Sequence, residues 1–276
     1  GQDMAIPLQQ NLSDQIHNNK VVIQITDTHL MEHYDDAFIQ INPEHNFHAV
    51  IEDLIKRYPK IDAIVHTGDL AQVASPATYQ RYVAYMEKLG IPFFQIPGNH
   101  DDLRYFPLHA PDPEPTVIEL GQWAIILLNS AVAGKTDGWI QTEQLQHLHA
   151  LLQKHQDKNI ILACHHHPFE MKSYWIDQHK LKNTVEFTDI LKPFDHIKAV
   201  ICGHVHQDST TLWNQIQFIS TPATCIQFKP LSNNFALDHI APGYRCLHLK
   251  ENGQLETVVH RLENYSITIN EEISGY

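Results

Sequence analysis

Short β-branched runs alternate with amphipathic stretches through the first hundred residues of the chain. Residues 21–26 (Val-Val-Ile-Gln-Ile-Thr) have the length and composition of a buried strand. Phe47, Val50, Ile51, Leu54 and Ile55 then recur at helical spacing and predict an amphipathic helix. Residues 63–66 read as a second strand, Tyr79, Tyr82, Val83 and Met86 mark a second helix, and residues 93–96 read as a third strand. Strand, helix, strand, helix, strand implies parallel pairing through right-handed crossovers, hence a layered α/β core.

The second half repeats the theme more loosely. Runs at 117–120 and 123–128 flank Gly121-Gln122 and predict a hairpin. Leu145, Leu148, Leu151 and Leu152 form a helical stripe ahead of a strand over 160–163, and a helix near 185–191 leads to a strand over 199–202. Beyond that the chain reads mostly β, with a turn at Asn214-Gln215 and a strand near 244–249. No linker, charge block or repeat divides it. The expectation is one α/β domain over 21–276, a four-layer α-β-β-α sandwich of two mixed β-sheets flanked by helices. An extension over 1–20 precedes it, and Gly1-Gln2-Asp3 ahead of Met4 is expected to be an expression scar.

Composition narrows the partners. With 276 residues, 43% of them hydrophobic, the chain can bury a large core. The longest apolar runs, such as 123–128, are too short to span a bilayer. The opening twenty residues mix Gln, Asn and Asp with isolated apolar residues and do not read as a signal peptide. Four irregularly spaced cysteines then point to free thiols and a cytoplasmic location. Cys164 and Cys202, which precede chemistry-bearing loops, are expected to pack in strands rather than react. A net charge of −13 repels nucleic-acid phosphates and anionic lipid, so neither nucleic acid nor membrane is an expected partner. The 21 histidines are the anomaly, because many fall beside Asp, Gly and Pro.

Those histidines cluster where strands end. Asp27 and His29 follow the first strand, Gly68 and Asp69 the second, and Gly98-Asn99-His100-Asp101 the third. His165-His166-His167-Pro168 follows 160–163, and Gly203, His204 and His206 follow 199–202. Parallel α/β sheets bind ligands beyond the carboxyl ends of their strands, so these loops should converge on one crevice. In extended chain, residues two apart point the same way, so Asp27 with His29, and His204 with His206, can grip one ion together. The glycines let the backbone turn sharply beside the ion. Carboxylate, amide oxygen and imidazole suit Mn, Fe, Zn or Co, and the lack of Cys in these loops argues against structural zinc. Asp-x-His alone is a weak signal; the ordered set at successive strand termini is a specific one.

The series Asp27-Thr28-His29, Gly68-Asp69, Gly98-Asn99-His100-Asp101, His166-His167-Pro168 and Gly203-His204-Val205-His206 resembles the motifs of the calcineurin-like metallophosphoesterases. Residues 25–30, the triple His before Pro168, Cys202-Gly203-His204, residues 221–230, Ala241-Pro242-Gly243 and the closing Ser274-Gly275-Tyr276 look like one branch of them. That branch is the bacterial class III 3′,5′-cyclic-AMP phosphodiesterases (CpdA type), and the likeness covers nearly all of the chain after about residue 20. The resemblance implies two metal ions per chain, Fe and/or Mn ahead of Zn, Co or Mg. One would be held by Asp27, His29, Asp69 and His206, the other by Asp69, Asn99, His166 and His204. The family ligand usually precedes x-Pro, which selects His166, with His165 as the alternative. The implied reaction is hydrolysis of cyclic AMP to 5′-AMP by a hydroxide bridging the ions, in a monomer or homodimer; the alternatives are a broader phosphodiesterase or phosphomonoesterase on the same site and a non-catalytic metal-binding scaffold. His100 is placed to stabilise or protonate the leaving oxygen, and Asp101 either orients that imidazole or caps a following helix. His29, Asp69, Asn99, His100 and His206 would also meet the substrate. Arg104 is a candidate phosphate contact. The polar, proline-broken stretch 224–245, with Asn233 and Asn234, is expected to fold over the site as a substrate-facing loop.

Overall fold

In the computed structural model of the chain, which describes residues 18–263 and Tyr265, two mixed sheets stack face to face. Strands β1 (Lys20–Ile25), β2 (Ala63–His66) and β3 (Phe93–Gln95) run parallel, joined by helices α1 (Pro43–Arg57) and α2 (Pro76–Glu87). Both helices start alike. The side chains of Asn42 and Ser75 accept a first-turn N–H, and Pro43 and Pro76, which have none to offer, stand next in line.

Strands β4 (Thr116–Leu120) and β5 (Trp123–Leu127) form an antiparallel hairpin. Strands β6 (Asn159–Ala163) and β7 (Ile197–Cys202) continue in parallel, with helix α3 (Thr142–Lys154) between β5 and β6 and helices α4 (Tyr174–Asp177) and α5 (Thr184–Leu191) between β6 and β7. Strands β8 (Ser209–Trp213) and β9 (Ile216–Ser220) complete this sheet. They turn at Asn214 and Gln215, whose φ of 51° and 65° are what a two-residue hairpin loop requires. Strands β10 (Gln227–Phe228) and β11 (Leu237–Asp238) pair with each other. Strands β12 (Gly243–Leu249) and β13 (Leu255–Arg261) return to the first sheet, where β12 lies antiparallel to β1. The sheet orders are β13-β12-β1-β2-β3 and β4-β5-β6-β7-β9-β8.

Side-chain alternation divides the core into layers. Val22, Ala63, Val65, Trp123, Ile125, Leu127, Ile161 and Ala163 fill the space between the sheets. Their neighbours Ile23, Ile25 and Ile64 face α1 and α2, while Ala124, Ile126, Ile160 and Leu162 face α3 and α5. With a period of two, each sheet is apolar on both faces, and helices must cover the outer ones. The expected four-layer α/β/β/α sandwich is the result. All four cysteines are unpaired and buried, and no described helix is long and apolar enough to cross a membrane. The extension over 1–17 and Ser274-Gly275-Tyr276 lie outside the described residues.

Candidate metal centre

The loops after β1, β2, β3, β6 and β7 meet at one end of the sandwich. The first two are zipped side by side: Asp27 N donates to Gly68 O at 3.0 Å, His29 N to Asp69 O at 3.0 Å and Leu30 N to Leu70 O at 2.8 Å. Asp27, His29, Asp69, His204 and His206 all have left-handed φ, of 56°, 47°, 57°, 70° and 50°. Side chains two apart therefore converge because the backbone is coiled at each of them, and not because the chain is extended, as the spacing alone suggests. Each such residue costs about 1–2 kcal/mol against its right-handed alternative, and such strain concentrates at functional sites. Glycines provide the clearance. A Cβ on Gly98 would run into Asp69 Oδ1, one on Gly203 into Thr26 Oγ1, and one on Gly68 into the His165 ring.

The donor atoms lie close together. His206 Nε2 is 3.1 Å from Asp27 Oδ1, His29 Nε2 is 3.5 Å from Asp27 Oδ1 and 3.7 Å from Asp69 Oδ2, and His165 Nε2 is 3.3 Å from Asp69 Oδ2. Ligand atoms of Asp27, His29 and His206 fall within 4.8 Å of one another, as do those of His29, Asp69 and His100 and those of Asp69, His165 and His204. The far nitrogen of each imidazole is spoken for. His29 Nδ1 meets Gln72 Oε1 at 2.9 Å, His165 Nδ1 meets Thr67 O at 2.7 Å, His206 Nδ1 meets Ile226 O at 2.8 Å, and His204 Nε2 meets His179 O at 2.9 Å. An N–H donated to each of these oxygens turns the opposite lone pair inward, as metal-ligating histidines require. Four atoms, Asp69 Oδ2, Asn99 Oδ1, His165 Nε2 and His204 Nδ1, are buried without a hydrogen-bond partner among the described residues. Orphaned buried polar atoms are costly, and this hard and borderline donor set fits divalent ions.

The charges agree with that fit. Burial would raise the Asp27 carboxyl, but His206 and His165 hold it well below the usual range. Asp69 is likewise lowered, burial being overridden by His165 and His100. Burial would depress His165, yet Asp69 and Asp27 lift it to about 9. Two buried carboxylates thus demand positive charge. Burial lowers His204 and His166 well below the ordinary value.

The structure brings some of the expected residues to the cluster and places others elsewhere. His166 does not face the cluster. Its Nδ1 meets Ser130 Oγ at 2.7 Å and its Nε2 meets Thr136 O at 3.0 Å, while Gly138 packs directly on its ring. His165 turns to Asp69 instead. Asp101 neither orients His100 nor caps a helix. Its carboxylate accepts from Gly98 N at 2.8 Å, Ala71 N at 3.1 Å, Leu70 N at 3.2 Å and Tyr79 OH at 2.7 Å, tying the Asp69 loop to the His100 loop. Burial and then Asp69 push it up to about 6. His100 does stand at the cluster, its N–H on Asp69 Oδ1 at 2.9 Å and its ring edge-on to His29. Arg104 is exposed and paired with Asp102 at 2.7 Å. Asn233 and Asn234 are exposed, and Asn233 lines a separate hollow with Lys172 and Tyr174. The segment they belong to is not uniformly polar surface. Residues 224–228 are buried, and Phe228, Trp175 and Phe235 pack in one apolar cluster behind His206.

His66 escaped sequence reasoning. Gly68 N donates to its Nδ1 at 3.1 Å, so its Nε2–H is left to donate to Thr28 Oγ1 at 3.0 Å, and Thr28 donates on to Leu70 O at 2.7 Å. Burial lowers it to about 3, which keeps this tautomer neutral. Its signal was a histidine closing a strand directly before Thr-Gly-Asp.

Strand-end loops of this kind on a two-sheet sandwich define a metallophosphoesterase, and the chain belongs to the calcineurin-like phosphoesterase family, whose profile matches residues 20–208. It is 38% identical over 274 residues to the 3′,5′-cyclic adenosine monophosphate phosphodiesterase CpdA of Vibrio vulnificus (strain CMCP6), covering 98% of this chain and 100% of that protein. It is also 38% identical over 259 residues to the protein of that name from Escherichia coli (strain K12), covering 92% of this chain and 94% of that one. Among solved structures, the fold is similar to a dimetal phosphatase from Danio rerio, with a TM-score of 0.59, 13% identity, and coverage of 88% of this chain and 98% of that one.

Proposed function

We propose that this protein hydrolyses 3′,5′-cyclic AMP to 5′-AMP at a centre of two metal ions. The observation that carries the metal centre is the convergence of ligand atoms of Asp69, His165 and His204, whose Oδ2, Nε2 and Nδ1, like Asn99 Oδ1, are buried with no hydrogen-bond partner among the described residues. The choice of cyclic AMP is supported by identity over nearly the whole chain to proteins bearing that activity in their names. Asp27, His29, Asp69 and His206 would hold one ion and Asp69, Asn99, His165 and His204 the other, with Asp69 shared. The imidazole and carboxylate donors suit Fe or Mn ahead of Zn, Co or Mg. The four buried, unpaired cysteines support a cytoplasmic location.

When bound, two such ions supply a hydroxide at neutral pH and neutralise phosphate oxygens. Asp27 and Asp69 bring only two negative charges to two divalent ions, so the site stays positive and accepts a phosphate despite the protein's −13. His100, lowered to about 4 by burial, is neutral at pH 7. It therefore presents an N–H to the leaving 3′ oxygen instead of a full cationic charge. Water adds across the bond between phosphorus and the 3′ oxygen, and that oxygen leaves as a hydroxyl.

Metal-reconstituted protein should be assayed against cyclic AMP, a 2′,3′-cyclic nucleotide, an aryl phosphodiester and a phosphomonoester. Conversion of cyclic AMP to 5′-AMP with the highest kcat/KM is expected. Turnover of the phosphomonoester or aryl diester without any of cyclic AMP would overturn the assignment.

A further inference from the structure

A cavity of about 480 Å³ opens beside Asn99 and His100. A phosphate does not need so much room, whereas small-molecule sites run from about 300 to 1,000 Å³. Leu103 and Arg104 line it on one side, and the turn from Ala131 to Gly134 lines it on the other. That turn is built in place. Asn129 Oδ1 accepts from Ala131 N at 2.8 Å, Val132 O accepts from Lys135 N at 3.0 Å, and Gly134 takes a φ of 76°. His166 braces it from below, joined to Ser130 on one side of the turn and to Thr136 on the other.

We infer that the nucleoside half of the substrate occupies this cavity, between the Leu103–Arg104 edge and the Val132–Ala133 wall, with His166 as the positioning residue that sets the wall. The inference rests on the cyclic-nucleotide reading above and follows from direction. His100 faces the leaving oxygen, so the carbon skeleton attached to that oxygen must continue on the His100 side. The cavity lies there. Around His206, by contrast, Phe228 lies against the imidazole and packs with Trp175 and Phe235. The Asn233 hollow shares none of its lining with the His100 cavity. Methyl and methylene groups of Leu103, Ala131, Val132 and Ala133 suit the faces of a sugar and a base. Arg104, held by Asp102 at the mouth, adds a planar cation of the kind that stacks on aromatic rings. Discrimination between a nucleotide and a simple diester needs such groups beyond the phosphate.

The test is the ratio of kcat/KM for cyclic AMP to that for trimethylene phosphate, the bare six-membered cyclic diester, whose leaving oxygen carries only a three-carbon chain and leaves the cavity largely unfilled. Holoenzyme is compared with Val132→Phe and with an Asn233→Ala/Asn234→Ala double variant, metal content being checked in each. Val132→Phe should lower the ratio at least tenfold, chiefly through KM for cyclic AMP, and the double variant should stay within twofold of the parent. Ala133 is exposed, so Ala133→Trp provides the same measurement should Val132→Phe fold poorly. Wild-type enzyme active on cyclic AMP with an unchanged ratio in the wall variants overturns the placement alone, as does a tenfold fall in the double variant. Wild-type enzyme that cleaves the small diester but not cyclic AMP overturns the cyclic-nucleotide reading, and this one with it.

Discussion

The ring of Phe228 lies face to face on the imidazole of His206, centroids 3.9 Å apart and planes 10° apart. Phe38 lies over His29 at 5.7 Å and 21°. Both phenylalanines belong to the apolar cluster that includes Ile176, Trp175 and Phe235. Two of the four residues proposed for one ion are thus backed by aromatic rings, while Asn99, proposed for the other, lines a cavity open to solvent.

Phe228→Ala should therefore weaken the ion shared by Asp27, His29 and His206. Loss of a group that orients a ligand typically costs about 10–100-fold in metal affinity. Elemental analysis after graded chelator treatment is expected to show one equivalent lost early and the second retained as in the parent. Unchanged retention of both would mean that the stacked ring fills space without holding His206.

His165 and His166 separate the two possible ligand assignments. His165→Ala should lose about one metal equivalent, Asp69→Ala both, and His166→Phe neither, because both nitrogens of His166 already serve Ser130 and Thr136. Metal content of the three purified variants checks this. An equivalent missing from His166→Phe, with His165→Ala fully loaded, would restore the assignment that the Pro168 spacing suggests.

That pair also shows where sequence legibility ends. The strands were readable because runs such as 21–26 and 63–66 are apolar and β-branched and stop at Asp, Gly or His. The ligand loops were readable because each carries donor residues beside glycine. Three consecutive histidines are chemically identical, however. Which one turns inward is decided by Gly68 against His165 and Gly138 against His166, contacts made by loops about 100 and 30 residues away. The same holds for β13 and for the pairing of β12 with β1, which joins residues more than 200 positions apart. Phe228 was hidden among polar neighbours, so its burial behind His206 left no periodic trace.

His100→Asn should lower kcat for cyclic AMP by about a hundredfold or more, the usual worth of a group acting on the leaving atom. Metal content should stay at the parent value. The defect should shrink for an aryl phosphodiester, whose leaving group needs little stabilisation. An equal loss on both substrates would instead place His100 in phosphate binding.

The last expected outcome concerns stability away from the metals. Arg81 on α2 holds Glu44 on α1 at 2.6 Å, and Arg81 also donates to the carbonyls of Met31 and Glu32. The Glu44 side chain is only 3% exposed, so this pair ties both crossover helices to the loop that follows His29. Burial alone would raise the Glu44 carboxyl, but His48 and Arg81 lower it below its ordinary 4.5. The sign follows from proton uptake. As pH falls through 4.5 the unfolded chain binds a proton that the folded protein refuses, so the pair's contribution is complete above that value and disappears below the depressed folded one. Glu44→Gln should cost about 1–3 kcal/mol at pH 7, in the range for a charged hydrogen bond broken on one side. The gap between parent and variant should narrow as pH falls below 4.5. Urea unfolding midpoints of both proteins at pH 7, 5, 4 and 3 measure it. A gap that is constant across that range would show that the helices are joined by packing and that the charge of Glu44 contributes nothing to holding them.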